Sequence, residues 1–174
     1  MNNCRRLEIS MMVLSLCLAA QVTVAQAHSS KKSAKAHAGA ANVHKAITPD
    51  QIQWSPAPNF LPSGAQTAVL DGNPMKPGSY TLRLKFPDGY KIPAHWHPAA
   101  EHVTVVSGEL HLGMGAKWDE STAQSLPAGS FVVMGAHTPH YAWAAGETVL
   151  QLHGAGPFSI TYVNPSDDPR NKKP

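Results

Sequence analysis

From residue 67 onward the chain is cut into short apolar runs, and most of them end at a glycine or proline turn. Residues 67–70 stop at Asp71-Gly72-Asn73-Pro74, and residues 80–86 at Asp88-Gly89, which reads as the close of a hairpin. Residues 102–106 stop at Ser107-Gly108, with 109–114 continuing beyond, and 123–126 stop at Pro127-Ala128-Gly129. Runs at 131–134, 141–144, 148–153 and 158–163 complete the set, and Gly154-Ala155-Gly156-Pro157 reads as a turn. Within 80–86, Leu82, Leu84 and Phe86 alternate with Arg83 and Lys85, so the leucines and the phenylalanine share one face of a strand. No amphipathic helix longer than two turns is visible. Closely spaced strands with this punctuation predict an all-β domain, a sandwich or a barrel.

The first residues read as an export signal. Arg5 and Arg6 precede an apolar stretch over 9–20, and Ala25-Gln26-Ala27 offers the small residues a signal peptidase requires. The apolar stretch is too short for a stable membrane anchor. Cleavage is expected after Ala27, by the general or the twin-arginine route, which places the mature protein in the periplasm or outside the cell. Cys4 and Cys17 both fall within that segment, so the mature chain has neither disulfides nor thiolate chemistry. Residues 28–46, rich in Ala, Ser, Lys and His, are predicted to form a disordered spacer. Its histidines, His28, His37 and His44, read as solvated. The folded domain is expected over 47–165. It opens on a capped turn at Thr48-Pro49-Asp50, with Trp54 as the first core anchor, and a polar, loose tail over 166–174 follows it.

Composition narrows the partners. The pI of about 8.9 belongs to the first 46 residues, because residues 47–174 carry 8 Lys and Arg against 10 Asp and Glu, a formal charge of −2. A domain with that balance is not a nucleic-acid binder.

The chemistry is concentrated in 89–101. His95 and His97 lie two apart, so in a strand they face the same way, roughly 6.6 Å apart along the chain. Glu101 is four further on and stays on that face unless Pro98 turns the chain. A fourth ligand must come from elsewhere, and His140, just after Pro139, is the best placed. Three imidazoles and a carboxylate suit Fe²⁺, Mn²⁺, Ni²⁺ or Zn²⁺ better than Ca²⁺ or Mg²⁺. On a six-coordinate ion they leave two positions open; on tetrahedral zinc they leave none. Burying such a set without a cation would cost several kcal/mol.

The spacing Gly89-x5-His95-x-His97-x3-Glu101-x6-Gly108 resembles the first conserved motif of the cupin superfamily, and Pro127-x-Gly129 followed by Pro139-His140 resembles the second. The second motif departs from the family at Ala144, where asparagine is common, and at His137, where a small residue is common, so His137 competes with His140 as the fourth ligand. The resemblance covers roughly residues 79–158. It implies a small antiparallel β-barrel or double-sheet jelly roll with a metal inside, often a homodimer, and it does not imply one reaction.

Two functions follow. One is a metal-dependent enzyme of dioxygenase, lyase or isomerase type acting on a small molecule, with Glu101 and His153 as candidates for proton transfer. His153 would line the cavity only if the Gln151 face of its strand, and not the Leu150 and Leu152 face, points inward. The other is a binding or sensing module with a structural zinc, similar to the cupin sensor domain of some anti-sigma factors. His102, next to Glu101, should face outward, as should Trp96, while His111, Tyr141 and Trp143 should pack rather than react.

Overall fold

The computed structural model describes residues 44–172. The export signal and most of the spacer, with His28 and His37, lie outside those residues. The described part contains nine strands: β1 (Ser55–Pro56), β2 (Gln66–Gly72), β3 (Gly78–Phe86), β4 (Lys91–Trp96), β5 (Glu101–Met114), β6 (Gln124–Pro127), β7 (Phe131–Met134), β8 (His140–Gly156) and β9 (Thr161–Tyr162). Every pairing among them is antiparallel. Only short 3-10 turns interrupt them, and no described helix is long and apolar enough to cross a membrane.

The 17-residue β8 organises the fold. Along one edge it pairs with β5; along the other it pairs with β4 over its first residues and with β3 from Thr148 onward. The sheet therefore curls around β8, and the all-β jelly-roll expectation holds. The expected break between 144 and 148 is not an end of strand. Gly146 adopts a positive φ of 74°, and its N–H donates to the Asp88 carboxylate at 2.7 Å, so the chain bends and continues. The Gly154-Ala155-Gly156 stretch, expected as a turn, is likewise the end of β8, where Gly156 pairs with Gly78. Nor does Asp88-Gly89 close a hairpin, because β3 and β4 both pair with β8 instead of with each other.

Inside the curl, Leu82, Leu84 and Phe86 are buried as their alternation requires, facing Val103, Val105, Leu150 and Leu152. In β5 the buried positions change parity, from 101, 103 and 105 to 110 and 112. The change occurs at Ser107-Gly108, where the register with β8 shifts. A bulge there lets one long strand keep its apolar side inward on both sides of the kink.

The capped turn forms over Pro49–Gln51, with the Thr48 hydroxyl bonded to Asp50 at 2.5 Å and the Gln51 side chain accepting from Thr48 N at 2.9 Å. Trp54 is not a core anchor. It is half-buried under Lys85, whose Nζ lies 4.5 Å from the ring centroid, and the first core residues are Phe60 and Leu61. Contact with the sheet begins before residue 47, because Lys45 donates to the Leu70 carbonyl. After β9 the chain makes 3-10 turns at Pro165–Asp167 and Pro169–Asn171. Arg170 ties the second to the barrel by donating to Ile160 O at 3.2 Å, so residues 166–171 are not a loose tail.

Candidate metal centre

His95 lies in β4 directly across from His140, the first residue of β8, and His97 follows one residue after β4 ends. One ring nitrogen from each of His95, His97 and His140 lies within 4.8 Å of the other two, and all three rings are buried. Pro98 does turn the chain. Glu101 opens β5, paired with Gly154 of β8, and returns its carboxylate to the same place. Its Oε2 lies 3.4 Å from His97 Nε2 and 3.8 Å from His140 Nε2. The three histidines proposed from sequence therefore converge, and Glu101 lies against two of them.

The backbone decides which face of each ring looks inward. His95 Nδ1 lies 2.7 Å from Pro93 O, His97 Nδ1 2.7 Å from Ser159 O and His140 Nδ1 2.9 Å from Thr138 O. A carbonyl oxygen only accepts, so each Nδ1 carries the proton and each Nε2 presents a lone pair. Carbonyl partners of this kind orient metal-binding histidines and fix their tautomer. Sequence reasoning did not find Pro93, Ser159 and Thr138, because they act through backbone oxygens and carry no side-chain signal.

Charge agrees with this tautomer. Burial holds all three imidazoles below their ordinary pKa, His95 well below, with His140 and His97 adding to the effect there. Burial also pushes the Glu101 carboxyl up to about 7, opposed in part by His140. The contacts of Glu101 with its histidines are thus not ordinary ion pairs. His97 Nε2 is buried with no hydrogen-bond partner. An orphaned lone pair beside two others and a carboxylate is costly alone, and a divalent transition metal fits it.

The remaining candidates separate clearly. His137 is exposed, holds a positive φ of 57° and packs on Trp96 at 4.7 Å, so His140 and not His137 belongs to the group. Leu150 and Leu152 point inward and His153 is exposed, which removes His153 from proton transfer in the cavity. It stacks instead on the outer face against His102, at 4.8 Å. His111 stacks on Trp143 at 4.7 Å, and the Tyr141 hydroxyl donates to Asp119 O at 2.7 Å; both are packing roles, as expected. His44 is exposed.

A chamber of about 40 Å³ adjoins the four residues. Its other walls are apolar, among them Phe86, Ile92, Val103, Leu112, Met134 and Phe158. Phe158, absent from the sequence-based site, stacks on His97 at 5.2 Å.

The family described as cupin domain matches residues 82–154, which include all four site residues. The chain carries a cupin domain over these residues. Solved structures share the fold. The polyketide cyclase RemF from Streptomyces resistomycificus aligns over 73% of this chain and 90% of its own, with TM-score 0.61 and 14% identity. A candidate acetylacetone dioxygenase from Methylibium petroleiphilum aligns over 73% and 85%, with TM-score 0.57 and 21% identity. KdgF from Halomonas aligns over 66% and 96%, with TM-score 0.51 and 19% identity. At these identities the likeness establishes the fold of this cupin and not its reaction. No curated protein matches the chain.

Proposed function

We propose that this cupin is a metal-dependent enzyme, dioxygenase-like, that acts on a small molecule at a centre held by His95, His97, Glu101 and His140. The observation that carries the reading is the set of three buried imidazoles. Each is fixed with its proton on Nδ1, and one ring nitrogen from each lies within 4.8 Å of the other two, beside a carboxylate. A bound Fe, Mn or Ni ion would supply Lewis acidity and exchangeable positions there. The protein's own part is to hold and to exclude. The carbonyls of Pro93, Ser159 and Thr138 keep the rings from turning, and the aliphatic wall keeps bulk water out of the chamber. Burial raises the Glu101 carboxyl to about 7 while no ion is bound, and a divalent ion would hold it as a carboxylate ligand.

Export belongs to the same proposal: the basic start, the apolar stretch and the cleavage site after Ala27 support a periplasmic or secreted location. So does a homodimer, favoured by exposed Phe131 and Val133 on the outer face of β7.

A second reading, a binding module with a structural zinc, is favoured by the size of the chamber. At about 40 Å³ it takes a few waters and no organic substrate without opening. Cobalt substitution separates the two. An enzyme site is expected to give the weak visible bands of a six-coordinate ion, with oxygen uptake on addition of its substrate. Intense four-coordinate bands, with tightly held zinc in the protein as purified, would decide for the second reading.

A further inference from the structure

Beside the metal chamber lies a second, larger cavity of about 330 Å³, enough for a small organic molecule. It is formed by segments distant in sequence: Phe60 and Leu61, Val69 of β2, the turn carrying Pro74 and Met75, Leu82 of β3, and Phe158. No charged side chain lines it. Its two polar side chains each make one hydrogen bond within the protein. The Thr67 hydroxyl donates to Arg83 O at 3.3 Å, and the Asn73 side-chain oxygen accepts from Met75 N at 2.9 Å. A ligand here gains by burying apolar surface, and an ionised group would lose its water without compensation.

The two cavities share three wall residues: Leu61, Leu84 and Phe158. Phe158 is the central one. One side of its ring stacks on His97 at 5.2 Å, and its neighbours on other sides are Phe60 and Tyr80, both at 5.8 Å. Its N–H donates to Pro74 O at 2.6 Å, which joins the partition to the turn at the cavity's edge. The chamber at the histidines is too small for an organic molecule, and the adjoining space is large enough and mostly apolar.

We propose that the outer cavity binds a neutral, largely apolar, ring-sized small molecule, and that Phe158 is the specificity-determining partition between that ring and the metal centre. The first half is independent of any metal. The second half rests on the reading of His95, His97, Glu101 and His140 as a metal centre.

The test uses the full-length protein and two fluorescent probes with the same ring system, neutral N-phenyl-1-naphthylamine and anionic 1-anilinonaphthalene-8-sulfonate. The neutral probe is expected to bind at least tenfold more tightly than the anion, and equally with and without metal. Val69→Trp, which places an indole in the cavity from a half-exposed position, should weaken the neutral probe at least tenfold. Met75→Glu, at an exposed rim position, should weaken it severalfold without affecting folding. Phe158→Ala, which opens the partition, should let metal-loaded protein bind 2-naphthohydroxamic acid at least tenfold more tightly than wild type does. No binding of the neutral probe, or binding that neither Val69→Trp nor Met75→Glu changes, would overturn the site. So would an altered oligomeric state in Val69→Trp with probe binding intact, since the cavity would then be a contact between copies. If the neutral probe binds as expected but the hydroxamate shows no preference for metal-loaded Phe158→Ala, the partition role falls. If the protein takes up no metal, only the metal reading falls and neutral-probe binding stands.

Discussion

Gly113→Ala is expected to destabilise the barrel by about 3 kcal/mol, lowering the melting temperature by about 10 °C. Gly113 pairs directly with Tyr141 between β5 and β8, and a Cβ built on it would collide with Cζ, Cε2 and the hydroxyl of the Tyr141 side chain. The ring has nowhere to go. Tyr141 is fully buried, its hydroxyl donates to Asp119 O at 2.7 Å, and it accepts from Asp119 N at 3.0 Å. Relief therefore requires either breaking both bonds or parting two strands at the centre of the sheet. The double variant Gly113→Ala/Tyr141→Leu should cost less than the sum of its single changes, because the smaller side chain removes the collision. Urea unfolding of the four proteins measures this. A cost below about 1 kcal/mol for Gly113→Ala would mean that the two strands are not packed as described.

Without metal, Glu101→Gln is expected to be more stable than wild type at pH 8, by an amount on the order of 3 kcal/mol, and the difference should vanish toward pH 4. Burial raises this carboxyl from 4.5 to about 7 in the folded protein. A carboxyl with a raised folded pKa binds its proton more tightly when folded. Its contribution to stability is complete below 4.5 and is lost as pH rises through 7. Glutamine does not titrate and escapes that loss. With a divalent metal the order should reverse at pH 8, because the ion is what makes a buried carboxylate favourable there. Urea unfolding at both pH values, in chelator and in excess metal, checks both signs. An absence of pH dependence in the difference would place the Glu101 carboxyl in water.

Much of the site was legible because its four side chains obey a spacing that survives translation into space. His95 and His97 share a face over a short extended stretch, and the Pro98 turn still returns Glu101 to them. His140 was favoured over His137 by the Pro139-His140 pair, but the backbone geometry that separates the two was not legible. That geometry is a left-handed backbone at His137, which turns that ring onto Trp96. The face of His153 was open in the sequence for a related reason: Gln151 and His153 alternate with Leu150 and Leu152, and only burial of the leucines settles which pair lies inside. In the fold, the alternation of Leu82, Leu84 and Phe86 was read correctly. Glycine punctuation misled where a glycine bends a strand without ending it, at Gly108 and Gly146. Trp54 looked like a core residue by size alone, yet it covers the surface beneath Lys85. The outer cavity had no sequence signature, because its walls come from segments distant in sequence that meet only when the sheet has curled.

The most direct test of the metal centre is a titration of metal-free, untagged protein with Co²⁺ and Zn²⁺ beside His97→Ala and His140→Ala. Wild type should bind one ion per chain, and each variant should bind at least a hundredfold more weakly while keeping its β-sheet circular dichroism. Equal binding by all three proteins, or none by wild type, would contradict a centre built from His95, His97, Glu101 and His140.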